Sequence, residues 1–105
     1  MTLVVDASTL VSALVDGGPE GRWANELLAS EPLAAPHLLH VEVAHVLRKA
    51  EGAGQISSDV AAMAHANLMD VAVELFPYVP HADRIWELRA NVTSYDAWYV
   101  ALAEE

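Results

Sequence analysis

The chain has 105 residues, a size typical of a single domain, and its 15 acidic and 5 basic side chains give a formal charge of −10. That charge excludes a nucleic-acid-binding module that works by neutralising phosphates alone, so any handling of RNA requires bound cations to offset the repulsion. Hydrophobic residues make up 54% of the sequence, cysteine is absent, and no apolar run approaches the ~18 residues needed to cross a bilayer. We therefore expect a folded cytoplasmic protein without disulfides, thiolate metal sites or membrane association.

Short apolar runs alternate with amphipathic stretches along the first half of the chain. Two glycines interrupt the pattern after residue 16, and Pro19 is well placed to begin a helix. The predicted elements are, in order, a strand over 3–5, helices over 7–15 and 19–30, a weaker strand over 33–35 and a long helix over 37–51.

The second half of the chain continues the same alternation. Ser57 and Thr93 are typical helix N-caps, and an apolar, β-branched run lies between the two helices that they begin. We predict a helix from 57 to about 69, a strand over 71–76, and helices over 81–90 and 93–103. Strands without polar alternation, separated by helices, indicate an α/β fold around a parallel sheet covered on both faces.

Three carboxylates occupy unusual places in this pattern, and the first is Asp6. It directly follows the first predicted strand, where open parallel sheets bind ligands. It could equally serve only as the N-cap of the following helix. Position alone leaves both interpretations open.

Glu42 lies in the middle of the long helix over 37–51, with apolar residues one turn before and one turn after it. An ionised carboxylate on such a face is costly unless it is paired or bound to a metal. The alternative to a metal is an ion pair with Lys49 or His45. Glu42 is therefore the acid that most needs an explanation.

Asp96 lies in the first turn of the last predicted helix. Thr93-x-x-Asp96 matches a capping box, and an acid suits the positive end of a helix, so a purely structural role is open here too. A strand-end acid, a first-turn acid and an acid on an apolar helix face can nevertheless converge at one edge of a parallel sheet. Hard oxygen ligands of this kind suit Mg²⁺ or Mn²⁺, which can activate water for phosphodiester cleavage.

Three stretches of the sequence resemble the motifs of PIN-domain ribonucleases of the VapC toxin family. The first is Leu3-Val4-Val5-Asp6-Ala7-Ser8, the second runs from Ala35-Pro36 through Glu42-Val43 to Lys49, and the third is Tyr95-Asp96-Ala97-Trp98-Tyr99-Val100-Ala101-Leu102-Ala103. Their order and spacing agree along the whole chain. The third stretch is the most diagnostic.

The resemblance implies a metal-dependent endoribonuclease toxin of a type II toxin–antitoxin system. Asp6, Glu42 and Asp96 would be its catalytic and metal-binding acids, with Ser8 as a supporting group and Mg²⁺ or Mn²⁺ as cofactor. The implied partners are RNA, a VapB-like antitoxin and a second copy of the chain. The alternative function is a non-catalytic PIN-like module that binds a basic protein through its acidic face.

The resemblance also implies a three-layer α/β/α domain with a short parallel sheet. PIN domains generally carry a further strand and a further acid after the third motif, so we expect residues 1–105 to be one PIN-like domain that is incomplete at its C-terminus, with the last strand missing from this chain. Two other interpretations are weaker. A histidine metal site has only one Glu-x-x-His pair, at Glu42 and His45. The three tryptophans, at positions 23, 86 and 98, are expected to be core or dimer contacts rather than base-stacking platforms.

Overall fold

A computed structural model describes residues 2–105 and shows three short strands and six α-helices within that range. The strands are β1 (Leu3–Val4), β2 (Leu33–Pro36) and β3 (Glu74–Phe76). The helices are α1 (Ala7–Val15), α2 (Pro19–Ser30), α3 (Leu39–Gly52), α4 (Ser58–Leu68), α5 (Ala82–Glu87) and α6 (Ser94–Ala103), with a 3-10 turn over Val79–His81 before α5. The predicted α/β class with a short parallel sheet is confirmed.

The sheet has the order β1-β2-β3, and both pairings are parallel. Leu3 pairs with Leu33, and Ala34 pairs with Glu74 across the other side of the central strand. All four residues of β2 are buried, which explains why a strand with two alanines forms against its weak intrinsic propensity.

The helix beginnings follow local capping chemistry, as predicted from the sequence. Asp6, Ser57 and Thr93 each accept a hydrogen bond from a backbone N–H in the first turn of α1, α4 and α6. α3 begins two residues later than predicted. The reason is that the backbone N–H of His37 donates to the carbonyl of Phe76 at 3.0 Å, which extends the pairing with β3.

Two predicted elements are shorter by three or more residues in the structure. The strand predicted over 71–76 contains only Glu74–Phe76, because the chain first turns after α4, where the N–H of Val71 donates to the carbonyl of Leu68. The helix predicted over 81–90 contains only the six residues of α5, which follow the 3-10 turn ending at His81. After α5, i→i+3 hydrogen bonds such as Arg89 N–H to Trp86 C=O form turns.

The buried side chains form two hydrophobic clusters. The first, which we call the large core, joins the sheet to α1, α3 and α4 and contains the fully buried Leu10, Leu39 and Leu68. The second, the small core, joins α5 to α6 through Ile85, Ala97, Trp98 and Ala101. Because α6 also packs against β1 and β2, its first turn lies beside the end of the sheet.

α1 and α2 form a tightly packed helical hairpin. A Cβ atom at Gly21 would lie 1.7 Å from the carbonyl oxygen of Asp16, so only glycine permits this approach. Asn25 connects the two helices by donating to the carbonyl of Ala13 at 2.9 Å. Over residues 2–105, none of the helices is both long enough and apolar enough to span a membrane.

Candidate active site

The three acids singled out in the sequence line one cleft, which we call the acidic cleft. It has a volume of about 660 Å³, and Asp6, Glu42 and Asp96 line it together with Ser8 and Tyr99. β1 ends just before Asp6, α3 carries Glu42, and α6 carries Asp96 and Tyr99. The structure therefore brings together residues from the two ends of the chain, as the sequence predicted.

Asp6 is both a helix cap and a cleft residue. Its Oδ1 accepts hydrogen bonds from the Thr9 backbone N–H at 2.9 Å and from the Ser8 hydroxyl at 3.1 Å. Burial raises the pKa of this carboxyl, but the hydrogen bonds from Thr9 and Ser8 together outweigh it, so the pKa of Asp6 lies below its ordinary value. Asp6 is thus held ionised and in a fixed orientation, and the capping interpretation and the site interpretation are compatible.

Glu42 is half-buried and has no ion pair with Lys49 or His45 among the residues that the structure describes. Instead the Tyr99 hydroxyl donates to Glu42 Oε2 at 3.5 Å. Burial raises the pKa of the Glu42 carboxyl above its ordinary value, and the nearby charges of Asp96 and Asp6 raise it further, while the Tyr99 hydrogen bond opposes them. Glu42, the acid on the apolar helix face, therefore lies near Asp6 and Asp96 in the acidic cleft.

Asp96 is exposed at the first turn of α6. The Thr93 hydroxyl accepts a hydrogen bond from the Asp96 backbone N–H at 3.2 Å, which forms one half of the predicted capping box and fixes the start of the helix. The Asp96 side chain lines the acidic cleft, where its charge raises the pKa of both Glu42 and Tyr99. Asp96 thus contributes negative charge to the cleft from the small-core side.

The donor set of the acidic cleft has the chemistry that a hard divalent cation requires. It offers carboxylate and hydroxyl oxygens, and the mutual repulsion of Asp6, Glu42 and Asp96 would be relieved by positive charge. Within residues 2–105 no three His, Asp or Glu side chains are grouped closely enough to hold one ion together. Mg²⁺ typically takes one or two carboxylates directly and keeps several waters, so the acidic cleft fits such an ion.

Sequence reasoning missed Tyr99 as a cleft residue. Tyr99 and Glu42 are 57 positions apart, so only the tertiary fold reveals their contact. Trp98 is buried, as expected of a core residue, with 7% of its surface exposed. Trp23 and Trp86 are 61% and 63% exposed, so they are not core residues, and the expectation that tryptophans form dimer contacts stays a prediction for these two.

Comparison with known proteins agrees with these features. The family model described as the PIN domain matches residues 3–105. Ribonuclease VapC9 of Mycobacterium tuberculosis is 40% identical over 102 residues, which cover 97% of this chain and 77% of that protein. Ribonuclease VapC1 of the same organism is 40% identical over a match that covers 95% of this chain and 76% of that protein. Ribonuclease VapC12, also from that organism, is 32% identical over a match that covers 97% of this chain and 78% of that protein. Since the match spans almost the whole chain and includes the cleft residues, this chain belongs to the PIN-domain family, among its VapC members.

Proposed function

We propose that this protein is a metal-dependent endoribonuclease that hydrolyses RNA phosphodiesters in the acidic cleft. The observation that carries the proposal is the convergence of Asp6, Glu42 and Asp96 on one cleft from three separate elements. Its similarity to proteins named ribonucleases supports the choice of RNA as substrate. An isolated helix cap or a surface ion pair would not need all three acids in one place.

The chain's own residues have distinct tasks in this proposal. One or two of the carboxylates of Asp6, Glu42 and Asp96 would bind the cation directly, and the others would act through its bound waters. Ser8 and Tyr99 donate to Asp6 and Glu42 and fix the orientation of those carboxylates. Bound Mg²⁺ or Mn²⁺ supplies positive charge at the phosphate and lowers the pKa of a bound water. In the overall reaction the water oxygen forms a bond to phosphorus, the bond from phosphorus to the leaving sugar oxygen breaks, and that oxygen receives a proton.

The remaining parts of the proposal concern partners and setting. We propose that the protein acts as the toxin of a type II toxin–antitoxin pair in the cytoplasm, as a homodimer that a VapB-like antitoxin inhibits. The charge of −10 supports a basic protein partner. A non-catalytic module that binds only such a partner is the competing function, but it gives no reason for an orienting hydrogen bond on both Asp6 and Glu42.

RNA cleavage by purified protein with added Mn²⁺ tests the proposal. Asp6→Asn and Asp96→Asn should each reduce the cleavage rate by at least a hundredfold, since each removes charge from the cleft without changing side-chain size. Asp59→Asn is the matched control, because Asp59 is an exposed acid in the first turn of α4, a helix that is capped by Ser57 just as α6 is capped by Thr93. Equal activity in all four proteins, or cleavage unaffected by removal of divalent metal, would contradict the proposal.

A further inference from the structure

We propose that a pocket between α1 and α2 binds one nucleobase of the RNA next to the phosphate that is cleaved; this inference rests on the proposed ribonuclease function. The pocket, which we call the Trp23 pocket, is lined by Ser8, Thr9, Ser12, Trp23 and Ala24. Its volume is about 300 Å³, at the lower end of the range for small-ligand pockets. This size suits a single base rather than a folded protein element.

The Trp23 pocket and the acidic cleft are continuous. Ser8 and Thr9 line both of them, and the same two residues donate hydrogen bonds to Asp6. A polymer with its phosphate at the acids would therefore have a neighbouring residue within reach of Trp23. A nucleic acid strand is a ligand that alternates a charged phosphate with a flat neutral base in this way.

Trp23 supplies the stacking surface. Its side chain is 61% exposed although a tryptophan usually buries most of its area, whereas Trp98 packs inside the small core and contacts Tyr78 edge-on. Aromatic side chains exposed in this way stack on the bases of single-stranded nucleic acids with little sequence preference. Ala24, which is almost fully buried, forms the floor beside it.

Among the side chains that the structure describes, the polar lining of the Trp23 pocket consists of hydroxyl groups. The Ser12 hydroxyl can donate and accept, and the Ser8 hydroxyl, whose proton is donated to Asp6, can still accept, which suits base edges and ribose hydroxyls. None of the five lining residues whose side chains the structure describes is charged. A basic peptide would be expected to seek carboxylates, so the composition of this pocket favours a neutral base over a basic protein segment.

The pocket is formed by elements that are held rigidly. Gly21 permits backbone contact between the ends of α1 and α2, and Asn25 donates to carbonyl groups of both helices. The N–H of Gly18 donates to Asp16 Oδ1 at 2.7 Å and closes the turn between them. The backbone that carries Trp23 is thus fixed relative to α1, which limits the entropy lost when a base stacks on the side chain.

The test is the affinity of the full chain for a fluorescein-labelled RNA octamer of mixed sequence, measured by anisotropy with Ca²⁺ present. Trp23→Ala should weaken binding by about 5- to 150-fold, the range for loss of one stacked base, and Trp23→Phe should retain most of the affinity. Ser12→Ala should weaken it by about 2- to 10-fold through loss of one hydroxyl. Trp86→Ala is the matched control, because Trp86 is equally exposed, at 63%, but lies on α5 against Arg89.

Three outcomes would overturn the inference. One is a Trp23→Ala protein that binds the octamer as tightly as Trp86→Ala does. Another is a Trp23→Ala protein that keeps the RNA affinity of the wild type but no longer binds a decalysine peptide, because this result would assign the Trp23 pocket to a protein partner. The third is a wild-type protein that does not bind the octamer at all. Thermal melts must show that the variants remain folded, as expected for exposed positions.

Cleavage of the same octamer with Mn²⁺ separates this inference from the proposed function. A wild-type protein that binds RNA through Trp23 but does not cut it supports the pocket and contradicts the ribonuclease. A wild-type protein that cuts RNA, with the same KM in Trp23→Ala, supports the ribonuclease and contradicts the pocket. If both hold, Trp23→Ala raises KM by the factor seen in binding.

Discussion

Alanine substitutions at two helical glycines should change the free energy of unfolding in opposite directions, because only one of the two glycines lies in the packed α1–α2 hairpin. In Gly21→Ala the new Cβ would meet the Asp16 carbonyl oxygen at 1.7 Å, where ordinary contact begins at 3.4 Å, so the two helices must move apart. That movement also disturbs the hydrogen bond from Asn25 to Ala13. Overpacking and one weakened hydrogen bond together cost about 2–4 kcal/mol. The higher helix propensity of alanine returns about 1 kcal/mol.

The expected net effect of Gly21→Ala is a free energy of unfolding lower by about 1–3 kcal/mol, or a urea midpoint lower by on the order of 1 M. Gly52→Ala is the control: Gly52 is the last residue of α3, and a Cβ there meets nothing within 4 Å. That substitution should be neutral or stabilising by up to about 1 kcal/mol. Urea denaturation of both variants checks the sign. A Gly21→Ala protein as stable as Gly52→Ala would refute the close helix contact.

Three further predictions concern the acids and their neighbours. Mn²⁺ at a hundredfold excess over its Kd should raise the melting temperature of the wild type by about 12 °C; this figure combines about 2.7 kcal/mol of binding free energy with an unfolding entropy of about 2 cal/mol/K per residue. The shift should be much smaller in Asp96→Asn, and equal shifts would exclude Asp96 from the site. Tyr99→Phe removes the hydrogen-bond donor to Glu42. Titration calorimetry should therefore find that Mn²⁺ affinity is weakened by about 2- to 10-fold while the fold is unchanged. An unchanged affinity would show that this hydrogen bond does not orient Glu42. The hydrogen bonds from Arg84 hold the pKa of Glu104 below its ordinary value, so their contribution is present above the unfolded pKa and is lost as pH falls through the folded one. Glu104→Gln should therefore be less stable than wild type at neutral pH but not in acid, and a difference that persisted in acid would rule out this ion pair as its cause.

The sequence predicted the elements best where local chemistry decides them. Asp6, Ser57 and Thr93 begin helices because their side chains satisfy backbone N–H groups of the first turn, whatever the rest of the chain does. The end of a strand depends instead on its neighbours. Val71 has high β propensity, but the turn that follows α4 uses its N–H, so the strand starts only at Glu74.

The candidate acids could be identified because each is anomalous in its own segment, most clearly Glu42 on an apolar helix face. The hydrogen-bond partner of Glu42 could not be predicted from the sequence, since the contact of Tyr99 with Glu42 joins two helices that only the fold brings together. The exposure of Trp23 could not be predicted from the sequence either, because a tryptophan in an amphipathic helix usually faces the core. Local patterns thus identify groups that carry charge, and tertiary contacts decide which groups orient them.

The division of the interior into a large and a small core affects how the acidic cleft would come apart. Asp6 and Glu42 are carried by elements of the large core, while Asp96 and Tyr99 are carried by α6, three of whose four buried side chains belong to the small core. Cooperative subunits of a fold open at free energies that follow the apolar surface each one buries. The amide hydrogens of α6 should therefore exchange with solvent more readily than those of α3. Separation of the two pairs of residues needs α6 to leave the small core and its contacts with β1 and β2, but it does not need the large core to open. The acidic cleft would therefore be lost on heating while the large core remains folded.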